Sequence, residues 1–330
     1  MRGTVLHSTG SHVAPRREKT FRLALNCQAM SVGGTAMRRR LSFRLRASAV
    51  ALGVAGTMAF SLTGGAPASA GSAPYLALGD SIVFGFITHD GPAYGNPDNF
   101  IGYPQIVGSS LNAAVSNAAC PGEATTSFVS ATGADNGCRT SYKLHFPLHV
   151  SYAGTQEAYA LSFLAAHPQT KLVTVSLGAN DGFLLQEACA SSPTPATCVA
   201  AGLPAVLGTV AANMDSILGA IRDAGFHGTL IVVNYYSLDY TDAAGTALST
   251  LLNTAETGSA AAHGAVVADV FSAFQTAASG AGGHTCFAGL LNANPSDPTN
   301  TTCDVHPSIT GQNLIAQTVL STFAAARAAG

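Results

Sequence analysis

Three short motifs hold residues that could carry out acyl transfer, and they lie far apart in the chain. Ser81 ends a Gly-Asp-Ser tripeptide, Asn180 stands in Gly-Ala-Asn-Asp, and His306 stands in Asp-Val-His-Pro. A serine hydroxyl is a weak nucleophile until a base lies within hydrogen-bonding reach, and a developing oxyanion needs fixed N–H donors. The sequence therefore predicts Ser81 as the nucleophile, His306 as the base and the Asn180 side-chain amide as a donor.

Each motif also has an ordinary structural explanation. Gly-Asp-Ser is typical of a turn or a helix N-cap, and Pro121-Gly122 and the residues around Asn180 are typical of turns. No serine has glycine at both −2 and +2, so the Gly-x-Ser-x-Gly turn of α/β-hydrolases is absent from the sequence. Gly122 adds a backbone N–H that no Cβ hinders. The combination of nucleophile, base and two donors favours a serine hydrolase over four unrelated structural roles.

Strand-like apolar runs alternate with helical patterns through the rest of the chain. The predicted strands cover residues 75–78, 114–118, 172–177, 229–233 and 265–268. The predicted helices cover residues 102–111, 157–166, 203–225, 243–263 and 308–328, with a cysteine-bounded insertion at 183–201. This βαβα order implies an α/β fold, a parallel sheet with helices on both faces, whose sites form where strands end. Ser81, Gly122 and Asn180 follow predicted strands, whereas His306 is expected on a loop before the last helix.

The first 70 residues have the composition of export signals. Residues 37–70 combine a cluster of arginines after Met37, an uncharged apolar run at 47–62 and an Ala-x-Ala ending at Ala70, which predicts a secretory signal peptide. The apolar run is 16 residues long, short of the ~20 that span a bilayer, which disfavours a membrane anchor. Residues 1–36 are either an upstream leader or a misassigned translation start. We expect one hydrolase domain over residues 71–330 and a secreted, extracellular protein.

Removing residues 1–70 changes the charge of the chain. The remainder has five Lys and Arg against 16 Asp and Glu, a net charge of −11. Such a chain has little to neutralise phosphate groups, which argues against nucleic acid or an anionic membrane as a partner. We expect a small-molecule or lipid ester as the substrate, no stable membrane anchoring, and a monomer.

Six cysteines remain once Cys27 is set aside with the leader, and an even count in a secreted protein predicts disulfides. Six cysteines allow 15 pairings. The favoured one is local and closes small loops: Cys120–Cys138, Cys189–Cys198 and Cys286–Cys303. A zinc site would need tight Cys-x-x-Cys or Cys/His spacings, which are missing. His145 and His149 have helical spacing, but Pro147 between them disfavours a metal pair on a helix, and neither a metal nor a cofactor is expected.

The four motifs together resemble the blocks of the SGNH, or GDSL, hydrolases, most closely the secreted actinobacterial lipase/esterase branch. Ser81 matches the first-block serine, Gly122 the second-block glycine, Asn180 the third-block asparagine, and His306 the last-block histidine with its following proline. The resemblance implies a three-layer α/β/α fold with a mostly parallel, flavodoxin-like sheet, and three short-range disulfides. It also implies an acyl-enzyme mechanism without metal or cofactor, in which the Ser81 N–H, the Gly122 N–H and the Asn180 amide form the oxyanion hole.

One position departs from the family pattern. Members commonly have aspartate three residues before the histidine, where this chain has Cys303, and its aspartate, Asp304, stands two residues before. Either Asp304 reaches the His306 ring, or a backbone carbonyl, that of Cys303, orients the ring instead.

The motifs leave three functions open. Fatty acyl ester hydrolysis is the leading one, carbohydrate O-acetyl ester hydrolysis uses the same architecture, and a secreted binding protein without turnover is the alternative of another class. Several aromatic residues near the motifs are typical of either an apolar acyl site or the core: Phe84, Phe86, Tyr94, Phe100 and Phe183.

Overall fold

The computed structural model describes residues 72–88, 91–297 and 302–329. The predicted upstream leader (1–36) and secretory signal (37–70) lie outside the described residues. They therefore stay predictions, as does the assignment of residues 71–330 to one domain.

Five parallel strands form the central sheet, in the order β2-β1-β3-β4-β5. Their bounds are β1 Pro74–Gly79, β2 Ala114–Asn117, β3 Leu172–Ser176, β4 Thr229–Val233 and β5 Val266–Ala268. Alternate side chains of these apolar strands point to opposite faces, and each face is buried in its own apolar cluster. The strand order is that of flavodoxin, whose switch point lies between β1 and β3.

The described residues also contain ten α-helices, several short 3₁₀ or π-helical turns and a second, two-stranded sheet. The helices are α1 Ser81–Phe84, α2 Tyr103–Leu111, α3 Thr125–Val129, α4 Lys143–His145, α5 Gln156–Ala166, α6 Ala179–Cys189, α7 Pro195–Asp223, α8 Ala243–Thr257, α9 Val270–Ala278 and α10 Ile309–Ala329. The antiparallel pair is β6 Leu291–Ala293 and β7 Cys303–Pro307. Side chains of α2, α9 and α10 pack on one face of the central sheet, and those of α5 and α7 on the other. The predicted three-layer α/β/α architecture with a flavodoxin-like sheet is confirmed.

Three sequence-based expectations about elements differ from the structure, and one helix was not expected. His306 lies on strand β7, which begins at Cys303, and not on a loop. The expected insertion at 183–201 is helical, because α6 continues to Cys189 and α7 already begins at Pro195. The helix expected over 243–263 ends at Thr257 and is followed by a separate 3₁₀ turn. The structure also adds α9, which follows β5 and begins behind the side-chain cap of Asp269.

Three disulfides each join a cysteine to the next cysteine along the chain: Cys120–Cys138, Cys189–Cys198 and Cys286–Cys303. This is the local pairing that the sequence favours. The first bond holds the loop after β2, the second joins the end of α6 to the start of α7, and the third ties β7 to the preceding segment. Disulfides of this kind are consistent with an extracellular protein.

Helix α7 is long and apolar enough to cross a bilayer by length and composition alone, with a mean hydropathy of 1.6 in its most apolar window. Its second half packs into the domain, where it buries Val210, Met214, Ile217, Leu218 and Ile221. Of the most apolar stretch itself, only 6% is buried in the domain. The expectation of no stable membrane anchoring remains a prediction.

Candidate active site

Ser81 lies at the first turn of α1, directly beyond the carboxyl end of β1. Asp80 caps this helix, since its Oδ1 accepts a hydrogen bond from the Ile82 N–H at 2.9 Å. Gly79 is needed where the strand turns, because a Cβ there would lie 2.4 Å from the Ser176 carbonyl oxygen. The turn therefore leaves the Ser81 side chain partly exposed at the switch point between β1 and β3.

The structure brings His306 to Ser81 across 225 residues of sequence, with 3.0 Å between His306 Nε2 and Ser81 Oγ. The other ring nitrogen, Nδ1, lies 2.8 Å from Asp304 Oδ2. An ionised carboxylate only accepts hydrogen bonds, so Nδ1 carries the ring hydrogen and the Nε2 lone pair faces the serine hydroxyl. Ser81, His306 and Asp304 thus form one continuous hydrogen-bonded chain.

Strand β7 explains why an aspartate at −2 reaches the ring. Residues i and i+2 of an extended strand point to the same side, so Asp304 and His306 share a face of β7. Among the described residues, the partners of His306 Nδ1 are Asp304 Oδ2 and, at 3.2 Å, Thr88 Oγ1, and the Cys303 carbonyl is not one of them. Of the two orienting groups left open by the sequence, the geometry places the Asp304 carboxylate at the ring.

The Asp304 carboxylate is held by three donors. Its Oδ2 accepts from the Thr88 hydroxyl at 2.5 Å as well as from His306, and its Oδ1 accepts from the Val305 N–H at 2.6 Å. Burial acts to raise the pKa of Asp304, but the hydrogen bonds and the His306 charge outweigh it and leave the pKa below its ordinary value. Asp304 is therefore ionised at neutral pH, and Thr88 is a contact that the sequence did not indicate.

Backbone N–H groups of Ser81 and Gly122 have no hydrogen-bond partner within the described ranges. The first N–H groups of a helix lack intrahelical acceptors, which leaves the Ser81 N–H available. Gly122 has φ +86°, and a Cβ there would lie 2.3 Å from the Asn136 carbonyl oxygen, so the loop requires glycine. Asn136 in turn donates its N–H to the Gly122 carbonyl at 2.9 Å, which fixes the peptide plane next to the free donor.

Asn180 lies in the first turn of α6, after β3, and is buried. Its Nδ2 donates to the Glu123 carbonyl at 2.9 Å and lies 3.4 Å from Asp80 Oδ2, while its Oδ1 accepts from Asn136 Nδ2 at 2.8 Å. The amide is therefore fixed beside Gly122 by contacts within the protein. Its second hydrogen makes only the long contact to Asp80.

Two buried carboxyl groups lie beneath the Ser81 turn. Asp80 Oδ2 accepts from the Tyr235 hydroxyl at 2.6 Å, and burial raises the pKa of Asp80 to about 6. Glu256 of α8 is fully buried, and neither of its carboxyl oxygens has a partner in hydrogen-bonding geometry. Burial raises the pKa of Glu256 well above its ordinary value, partly offset by the Leu177 backbone, and so favours the neutral form of the group. Tyr235 and Glu256 carry no motif, and no local pattern pointed to them.

One group in the described part of the chain has ligand-type atoms close enough to hold a metal: Cys120, Glu123 and Cys138. The two sulfurs are joined to each other in a disulfide. They cannot act as thiolate ligands in this state, so the group is accounted for by the covalent bond.

Comparison with solved structures finds similar folds at low identity, and curated proteins give no significant match. A phospholipase A1 from Streptomyces albidoflavus NA297 is 21% identical with a TM-score of 0.48, over 76% of this chain and 99% of that one. An acetyl xylan esterase from Geobacillus stearothermophilus is 15% identical with a TM-score of 0.47, over 77% and 96%. A lipase from a goat rumen metagenome is 15% identical with a TM-score of 0.46, over 76% and 97%.

The family assignment rests on a sequence model and not on these partial likenesses. The model of the GDSL-like lipase/acylhydrolase family matches residues 77–314. That range contains Ser81, Gly122, Asn180 and His306, the four residues placed at one edge of the sheet. Membership supports ester hydrolysis as the activity, and the chain belongs to the GDSL-like lipase/acylhydrolase family.

Proposed function

We propose that this protein is a secreted serine esterase that hydrolyses fatty acyl esters through an acyl-enzyme, as in the secreted actinobacterial branch of the family. Ser81 is the nucleophile, His306 the general base and acid, and Asp304 the group that orients the imidazole. The observation that carries the proposal is the hydrogen-bonded chain from Ser81 Oγ to His306 Nε2 at 3.0 Å and from His306 Nδ1 to Asp304 Oδ2 at 2.8 Å.

The reaction proceeds in two halves. His306 Nε2 takes the proton of Ser81 as Oγ attacks the ester carbonyl, and it returns this proton to the leaving alcohol as the C–O bond breaks. A water molecule, deprotonated by the same nitrogen, then attacks the acyl-enzyme and releases the acid and Ser81. The oxyanion formed in each half accepts hydrogen bonds from the Ser81 N–H, the Gly122 N–H and the Asn180 amide.

An apolar wall beside the imidazole favours an acyl chain over a sugar as the group that lies there. The Phe86 ring meets His306 edge-on at 5.1 Å, and the Tyr94 ring stacks on Phe86 at 5.4 Å. Both rings are partly exposed, whereas Phe84 and Phe100 behind them are buried in the core. Partly exposed aromatic faces bind apolar chains by burial of surface, which supports an acyl chain as the group bound there.

Esterase assays with the mature chain test this proposal. Ser81→Ala should abolish p-nitrophenyl ester hydrolysis and covalent labelling by an organophosphonate, while Ser321→Ala on the exposed side of α10 should change neither. A panel from acetyl to long acyl esters, with acetylated sugars, should give the highest kcat/KM on an apolar acyl chain. A preference for acetylated sugars would show that the proposed substrate class is wrong. Retained turnover in Ser81→Ala would show that Ser81 is not the nucleophile. An inactive wild type that the organophosphonate does not label would indicate a binding protein.

A further inference from the structure

Gln156, the first residue of α5, holds the end of β1 from a position far along the chain. The side chain is fully buried. Its Oε1 accepts from the Gly79 N–H at 2.6 Å, and its Nε2 donates to the Gly79 carbonyl at 3.0 Å. Both backbone groups of Gly79, two residues before Ser81, are therefore fixed by one amide.

The same amide reaches the loop that supplies Gly122. Gln156 Nε2 lies 3.1 Å from Glu123 Oε2, and an amide nitrogen has two hydrogens, so it serves Gly79 and Glu123 together. Glu123 is 3% exposed, and its other oxygen accepts from the Ser127 hydroxyl. The Glu123 backbone carbonyl accepts from Asn180 Nδ2. One buried bridge thus joins all three segments that carry oxyanion donors.

We propose that Glu123 and Gln156 are positioning residues, whose hydrogen bond sets the spacing between the Ser81 and Gly122 N–H groups. The inference rests on the proposed function, because it assigns these N–H groups to the oxyanion. Donors must lie about 2.7–3.1 Å from the position of the oxyanion. The disulfide and the turn at Cys120 fix the Gly122 loop within itself. Two contacts tie this loop to the nucleophile turn: the Cys120 N–H donates to the Gly79 carbonyl at 3.1 Å, and the Gln156 amide joins Gly79 to the Glu123 side chain.

The bridge needs an acceptor at Glu123 but not a negative charge. Burial raises the pKa of Glu123 to about 7, while hydrogen bonds from Ser127 and Gln156 and the Lys143 charge act to lower it and Asp135 acts to raise it. A neutral carboxyl keeps its carbonyl oxygen as an acceptor, so the bond to Gln156 persists on both sides of that pKa. The amide of Glu123→Gln does the same, since its NH₂ can donate to the Ser127 oxygen. Methionine has similar length and no such acceptor.

The test compares Glu123→Met, Glu123→Gln, Gln156→Met and the double methionine variant in the full mature chain. Turnover of a p-nitrophenyl ester is divided by active sites titrated with an organophosphonate. We expect each methionine variant to lower kcat about 10- to 100-fold with KM within about twofold, because small misplacements of catalytic donors have effects of this size. Glu123→Gln should stay within about threefold of wild type. The double variant should be no slower than the slower single one, as expected for two halves of one contact.

Phe323→Leu, a buried substitution near the end of α10, is the control for lost stability and should lower Tm without lowering kcat per titrated site. The proposal is overturned if either methionine variant keeps its kcat, if Glu123→Gln is as slow as Glu123→Met, or if the two losses multiply in the double variant. Failure of the wild type to react with the organophosphonate would instead overturn the proposed function, so the two failures are distinguishable.

Discussion

Replacing the Asp304 carboxylate by an amide tests the chain of contacts on which catalysis depends. The carboxylate accepts three hydrogen bonds, from His306 Nδ1 at 2.8 Å and Thr88 Oγ1 at 2.5 Å on one oxygen and from the Val305 N–H at 2.6 Å on the other. An asparagine has one acceptor oxygen and one donor nitrogen. Asp304→Asn therefore cannot satisfy all three donors in either orientation of the amide.

Both orientations reduce the rate. With the amide oxygen towards His306, the NH₂ opposes the Val305 N–H and the charge that stabilises the imidazolium is gone; a charge-assisted hydrogen bond contributes about 1.5–3 kcal/mol, or roughly 10- to 150-fold. With the NH₂ towards Nδ1, the ring hydrogen moves to Nε2, and the nitrogen facing Ser81 is no longer a base. A substitution that traps this tautomer has an effect on the order of 10⁴ in serine proteases. We expect kcat/KM to fall about 10²- to 10⁴-fold.

The assay is p-nitrophenyl ester hydrolysis, with folding checked by circular dichroism. Asp223→Asn, an exposed substitution at the end of α7, is the matched control and should leave kcat/KM unchanged. Thr88→Val removes a donor to the carboxylate but keeps the bond from His306, so its effect should be several-fold smaller than that of Asp304→Asn. A loss below about tenfold in Asp304→Asn, roughly 1.4 kcal/mol, would refute the reasoning and return the orienting role to a backbone carbonyl such as that of Cys303.

Three further predictions concern the loops and the buried acid. Gly122→Ala should lower both kcat and Tm, because the Asn136 carbonyl oxygen would lie 2.3 Å from the new Cβ. Gly154→Ala is the control: this glycine also has a positive φ but has open space around it, so the substitution should lower Tm alone. Glu256→Gln should have a higher Tm than wild type, by a margin that widens as pH rises above about 4.5. The raised pKa of the folded state means that the wild-type group releases its proton more readily on unfolding, whereas glutamine does not titrate. A constant margin between about pH 4 and 8 would contradict this. Replacing Cys286 and Cys303 by serine should lower the free energy of unfolding by about 3 kcal/mol and shorten the half-life of activity on heating. An unchanged half-life would show that the disulfide does not hold β7 in place.

The central sheet could be predicted from sequence because its strands are short apolar runs flanked by helical patterns. The predicted strand at 229–233 coincides with β4, and the run at 172–177 differs from β3 by one residue. The region 183–201 was expected only as a cysteine-bounded insertion, and its helical parts were not predicted. Helical geometry there is sustained by packing of α6 against the first turns of α7 and by the Cys189–Cys198 bond, neither of which has a local signature.

The site could be predicted in part, and the limit has a physical cause. Ser81 and His306 are recognisable because each lies in a short motif close to the end of a strand. Whether Asp304 faces His306 depends on local backbone geometry, since an extended strand puts positions −2 and 0 on one side. Strand β7 is extended where it pairs with β6. Gln156 acts entirely through tertiary contacts, so no spacing in the sequence indicates it.

The carboxyl groups around the site fall into two electrostatic classes that match the charges of the proposed reaction. Asp304, on the imidazole side, has a lowered pKa and is charged when His306 becomes an imidazolium. Asp80, Glu123 and Glu256, on the side of the oxyanion donors, are buried with raised pKa values, about 6 and about 7 for the first two. A full negative charge there would oppose the oxyanion in a medium of low dielectric constant. The raised pKa values reduce the fraction of each group that carries this charge, least for Asp80, whose pKa of about 6 leaves it mostly ionised at neutral pH. Such environments separate the pKa values of neighbouring acids. One fold can therefore support both charges of an acyl-transfer transition state.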